Sequence, residues 1–182
     1  PFIFGFLLTV LPRWLGLPAL SKWHYVPVGL GLLGGQLLTL GGLLGYPQLL
    51  FFGWVQTLAG WIAALCVLLN LLRRDESGDW HARSAACALL FGLSGIGLVM
   101  AWLYTGNAKL LYAAVKFGGF GLLLPINFTV NHRMTPFFVR CVFPMQKGWN
   151  PRWVLACAWG LMLAHLALEL AHGYAWLWLP DL

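Results

Sequence analysis

Metal-ligating and ionisable side chains are scarce in this sequence, and they concentrate in two places. The first is Asn127-Phe128-Thr129-Val130-Asn131-His132-Arg133-Met134-Thr135-Pro136. Asn127 and Asn131 are four residues apart, so they share a helix face, and His132 lies one step round from it. Neutral imidazole is the commonest metal ligand, and it also ligates haem iron; its second nitrogen needs an orienting partner, which Thr129 or an asparagine can provide. The same residues fit an interfacial anchor in which His132-Arg133 sets depth and topology, and spacing leaves both readings open. Pro136 should limit how far the helix continues, because it lacks an amide donor and restricts Thr135. The second place holds His165, Glu169 and His172 at i, i+4 and i+7, a spacing that predicts one helical face.

Composition decides what solvent these groups meet. Of 182 residues, 60% are hydrophobic and only 9% charged, too apolar a mixture for one soluble core, so the partner is the lipid bilayer. Lys and Arg number 11 against 5 Asp and Glu, for a net charge of +6, yet the cations are scattered between apolar runs with no nucleic-acid-binding motif, which excludes nucleic acid as a partner. Apolar stretches run over 1–12, 25–44, 48–72, 84–104, 110–131 and 153–178. The last five are long enough to cross a hydrocarbon core of about 30 Å at about 1.5 Å per residue, whereas the first covers only about 18 Å. Helices satisfy their own backbone in lipid. The expectation is therefore an all-α fold: a single polytopic transmembrane helical bundle over 1–182 with five full spans and a truncated first span. The abrupt start at Pro1-Phe2-Ile3-Phe4 predicts that further N-terminal spans of the same chain precede it.

Topology follows from the cations. Arg13, Lys22, Arg73, Arg74, Arg83, Arg133, Arg140, Lys147 and Arg152 fall in the odd-numbered loops, which are expected to face the cytoplasm, with the C-terminus outward. Lys116 falls inside a span. Ionisable groups in a bilayer are expensive and face the bundle interior with a partner. Lys116 and Glu169 lie at depths differing by about 5 Å, so an ion pair between them is expected, flanked by His165 and His172. A purely structural polar clamp is the alternative. His132 and His165 should be separated by roughly 15 to 20 Å along the membrane normal, too far to share one metal ion.

Elsewhere, the glycine-rich 25–44 stretch predicts a central, closely packed helix whose Gln36 bonds a neighbouring helix. His81 reads as a surface histidine in a polar turn, and His24 as part of an interfacial aromatic belt. Cys66, Cys87, Cys141 and Cys157 show no disulfide or zinc spacing and read as small packing residues. Soluble-enzyme motifs are absent.

The segment His132-Arg133-Met134-Thr135-Pro136-Phe137-Phe138 resembles the H-R-M-x-P-F-F signature of the NnrS family, membrane proteins associated with the bacterial response to nitric oxide. Gly5-Phe6-Leu7-Leu8-Thr9-Val10-Leu11-Pro12-Arg13-Trp14 is similar to that family's G-F-L-L-T-x-x-P-x-W segment, and His165-x-x-Leu168-Glu169-Leu170 to a later helix. The resemblance implies a multi-pass protein of the bacterial inner membrane, a fragment of a larger protein of roughly twelve spans, with haem (heme) and copper as cofactors. It implies nitric oxide or metal-nitrosyl species as partners and carries Arg133 and Met134 into the cofactor-binding set. His132 and His165 are then the expected cofactor ligands, with His172 as a further metal ligand. It leaves catalysis, sensing and metal handling undivided. A transporter or proton-coupled channel, with Lys116, Glu169, His165 and His172 as relay, is the alternative; a structural subunit is a third.

Overall fold

The structure, a computed structural model, describes residues 1–143, 145 and 150–181; Lys147, one of the loop cations, lies outside the described residues. Five helical segments are long and apolar enough to cross a membrane. A short helix α1 (Phe2–Trp14) precedes α2 (Lys22–Leu43), α3 (Gln48–Arg73) and α4 (Trp80–Thr105). Then α5 (Ala108–Lys116), a π-helical segment (Phe117–Leu123) and α6 (Leu124–Val142) form one continuous span. The chain ends with α7 (Arg152–Leu170), a 3-10 turn (Tyr174–Trp176) and α8 (Trp178–Asp181).

The glycine-rich helix α2 is not central. Its stripe of Gly31, Gly35 and Gly42 meets a single partner, α3, so closely that a Cβ at Gly31 would lie 2.4 Å from the Gly60 Cα. Its opposite face carries exposed Leu30, Leu33, Leu37 and Leu40, as a lipid-facing surface should. Gln36 is exposed; the polar tie across this hairpin comes from the other helix, where Gln56 Nε2 donates to the Leu30 carbonyl at 3.2 Å. Helix α4 occupies the centre instead, touching α3, α5, the π segment and α6. It can do so because Ala82, Ala85, Ala86, Ala88, Gly92 and Gly95 keep its buried face thin. Trp61 Nε1 ties α3 to it by donating to the Leu89 carbonyl at 3.0 Å. Helix α1 buries Phe4, Leu7, Leu8 and Leu11, and the Phe4 ring meets Trp61 edge-on at 4.7 Å. The four cysteines are free and exposed, so none packs helices together.

The fifth and sixth stretches depart most from their expected form. The fifth extends over Ala108–Val142, through Pro136. At about 1.5 Å per residue, its 35 residues span about 50 Å, well beyond a hydrocarbon core of about 30 Å. The π segment has a local cause: Pro125 has no amide to give, and its ring would collide with the Gly121 carbonyl in a regular helix. Widening the preceding turn removes the collision, and Gly118, Gly119 and Gly121 adopt it readily. The sixth stretch is not one helix to 178. It stops at Leu170, and the chain reverses at His172, the one non-glycine residue with positive φ (55°) among those described. The tail then folds back so that α8 packs on α7.

Candidate functional site

The expected polar residues form two separate clusters. In the first, the N-terminus of α4 meets α6 and α1. Asp79 caps α4: its Oδ1 accepts from the amides of His81 (2.9 Å) and Ala82 (3.0 Å), while Oδ2 accepts from the Arg133 guanidinium. Arg133 also lies 4.5 Å over the Trp14 ring and donates to the Trp14 carbonyl at 3.5 Å, locking three elements together. Burial disfavours the charged form of Asp79, but the bonds from His81, Ala82 and Arg133 prevail and hold its carboxyl well below the usual carboxylate range.

His81 is not a free surface residue. Its Nε2 lies 3.0 Å from His132 Nδ1, with the rings 5.3 Å apart. The orienting partner of His132 is therefore a second histidine; Thr129, fully buried, bonds Ser84 at 2.6 Å. Arg133 Nη1, 3.3 Å from His81 Nδ1, can only donate, which favours a proton on His81 Nε2. Asp79 Oδ1, 3.7 Å from the same nitrogen, favours the opposite tautomer, in which His132 Nδ1 donates and His132 Nε2 keeps its lone pair. That Nε2 is the one buried side-chain nitrogen or oxygen among the described residues with no hydrogen bond. The Pro151 backbone lies beside the ring without a hydrogen bond to Nε2. His132 lines a cavity of about 250 Å³ together with Phe128, Thr135, Pro136 and Val154. Met134, half-buried, is on the same helix. Asn127 and Asn131 bond each other at 2.6 Å and face a crevice beside Phe2 and Phe6, apart from the ion pair.

The second cluster joins α5, α7 and the tail. Lys116 Nζ lies 2.8 Å from Glu169 Oε1, and Tyr112 donates to Glu169 Oε2 at 2.6 Å. His165, buried, stacks on Phe120 of the π segment at 3.8 Å. Its Nε2 is 3.5 Å from Glu169 Oε1 and its Nδ1 is 2.7 Å from Asp181 Oδ1. His172 has left the helical face, yet it remains connected: its Nδ1 lies 2.9 Å from Tyr174 Oη, which lies 3.1 Å from Tyr112 Oη. Since Tyr112 spends its proton on Glu169, Tyr174 donates to Tyr112 and His172 to Tyr174, and the chain of donors runs inward from exposed His172 to buried Glu169. Among the described residues no three His, Cys, Asp or Glu side chains converge as a metal site.

Sequence reasoning missed Asp79, His81, Tyr112, Tyr174 and Asp181. Tyr112 carried a signal, being four residues before Lys116 on the same helix face. Asp79 carried another, as an N-cap residue ahead of an apolar run. Nothing local marked His81 or Asp181, whose partners are distant in sequence.

Asp79 makes a prediction about acid stability. Its folded-state carboxyl is depressed, so its contribution is present above the unfolded value of about 3.9 and is lost as pH falls below that. Asn caps helices as well as Asp. Asp79→Asn should therefore cost about 2 kcal/mol at neutral pH, the value of a charged hydrogen bond. Thermal unfolding in detergent should fall more steeply below about pH 4 for the wild type than for the variant.

The sequence model of the NnrS protein family matches residues 1–181, essentially the whole chain. No curated protein and no solved structure matches it significantly. The chain belongs to the NnrS family, and is a multi-pass membrane protein of a family associated with the response to nitric oxide.

Proposed function

From NnrS membership, we propose that this chain belongs to a bacterial inner-membrane protein of nitric oxide tolerance in which His132 would hold haem. The observation that carries the reading is the buried, unbonded Nε2 of His132, oriented through Nδ1 by His81. A ligating histidine needs that arrangement: one nitrogen held, the other left with its lone pair. Bound haem would supply the iron centre that nitric oxide meets. The chain's own part is to hold His132 Nδ1 through His81, and to hold the helices through Arg133. Phe128, 6.0 Å from His132 and nearly parallel to it, shields the ring from water.

His165 does not fit as a ligand, because its nitrogens face Asp181 and Glu169. His172 Nδ1 is engaged with Tyr174. The described residues bring no three donors together for copper, so no step is assigned to it. Visible spectra of the purified full-length protein test the assignment. His132→Ala should lose the Soret band and His165→Ala should keep it; a band that survives His132→Ala would remove His132 from the haem site.

A second reading is favoured by the inward donor chain from His172 through Tyr174 and Tyr112 to Glu169. It is the hydrogen-bonded path that a proton-coupled transporter or channel would use.

A further inference from the structure

The cation-rich end of the bundle has a feature that neither cluster uses. Helices α4 and α7 are held together by Trp159, whose Nε1 donates to Ser84 Oγ at 2.7 Å and whose ring lies 6.0 Å from Phe91. Around this tie is an open crevice of about 560 Å³ whose walls are largely apolar, including Cys87, Leu155, Gly160 and Leu163. A gap of this kind forfeits dispersion contacts unless something fills it, and in a bilayer a hydrocarbon chain is the available filler.

The mouth of the crevice is cationic. Trp80 and Arg83 line it, and the Arg152 guanidinium sits 5.9 Å over the Trp80 ring. Among the described residues neither Arg83 nor Arg152 takes part in an ion pair, whereas Arg133 and Lys116 both do. Two uncompensated guanidinium groups beside an interfacial tryptophan, above an apolar slot, match a phosphate joined to an acyl chain. We propose that this crevice binds an anionic glycerophospholipid, with one acyl chain between α4 and α7 and the phosphate held by Arg83 and Arg152. The proposal is independent of the haem reading, since His132 and its partners lie outside the crevice.

Native mass spectrometry of the full-length protein, titrated with phosphatidylglycerol and phosphatidylcholine of matched acyl chains, tests this. The wild type should retain phosphatidylglycerol preferentially. Arg83→Gln and Arg152→Gln should each lower that retention roughly fivefold, with phosphatidylcholine retention unchanged. Gly160→Leu tests the slot separately: a Cβ at Gly160 has no neighbour within 4 Å, so the side chain can enter the crevice without disturbing the helices. It should lower retention of both lipids while helical content and melting temperature hold. Equal retention of the two lipids by the wild type, selectivity that survives in the double arginine variant, or retention unaffected by Gly160→Leu would each overturn the proposal.

Discussion

Gly60→Val is expected to cost about 3 kcal/mol, the upper end of overpacking penalties, because nothing around it can give. A Cβ there would lie 2.9 Å from the Gly31 Cα and carbonyl carbon and 2.9 Å from the Leu32 amide nitrogen, all of them backbone. Side-chain ends can swing aside, but backbone moves only if the helices separate. Separation would also stretch the Gln56 bond to the Leu30 carbonyl and part Gly35 from Gly53. In lipid no hydrophobic force presses helices together, so close contact itself is the source of association. Thermal unfolding in detergent checks this, with Gly29→Ala on the partner helix α2 as control. Gly29 has nothing within 4 Å of its Cβ position and should show little change or a gain. Equal effects at both positions would refute the account.

Removing one partner of the Lys116–Glu169 pair is expected to be worse than removing both. Lys116→Met should cost about 3 kcal/mol, because it leaves a buried carboxylate without its cation. Glu169→Leu strands Lys116 and takes the carboxylate acceptor from the Tyr112 hydroxyl, and should cost a similar amount. The double variant puts two apolar side chains where the charges were, so its loss should fall well below the sum of the single losses. Unfolding of all four proteins at one pH gives the coupling directly. Additive losses would mean that Tyr112 and His165 stabilise Glu169 as well without Lys116 as with it.

These two predictions differ in how far they could be read from sequence. The Lys116–Glu169 contact follows from depth: both residues lie in apolar runs at similar distances from the same membrane face, and adjacent antiparallel helices pack together. Gly60 is one of 22 glycines, and only packing shows that it meets Gly31 while Gly29 meets nothing. His81 is a similar case. Its neighbours in sequence are polar, so it reads as a solvent-facing turn, yet α4 begins at Trp80 and turns its first residues onto α6. His172 failed in the other direction. Its spacing from His165 promised a shared face, but the helix ended two residues earlier, and a folded-back tail brought Tyr174 and Asp181 to the site in its place.

What the sequence determined by itself was the solvent, the helical class and the residues worth watching. Each follows from composition or from short-range periodicity: apolar runs of span length must be helical in lipid, and ionisable groups within them must find partners. The family resemblance was legible for the same reason, being carried by short contiguous motifs. Tertiary structure alone decided which nitrogen of which histidine is free. That choice rests on contacts between residues as far apart as His81 and His132, and on a π turn that rotates Phe120 onto His165. Such contacts depend on where helices cross and where they stop. Helix ends are set by single prolines, caps and tail docking, and local patterns carry little of that information.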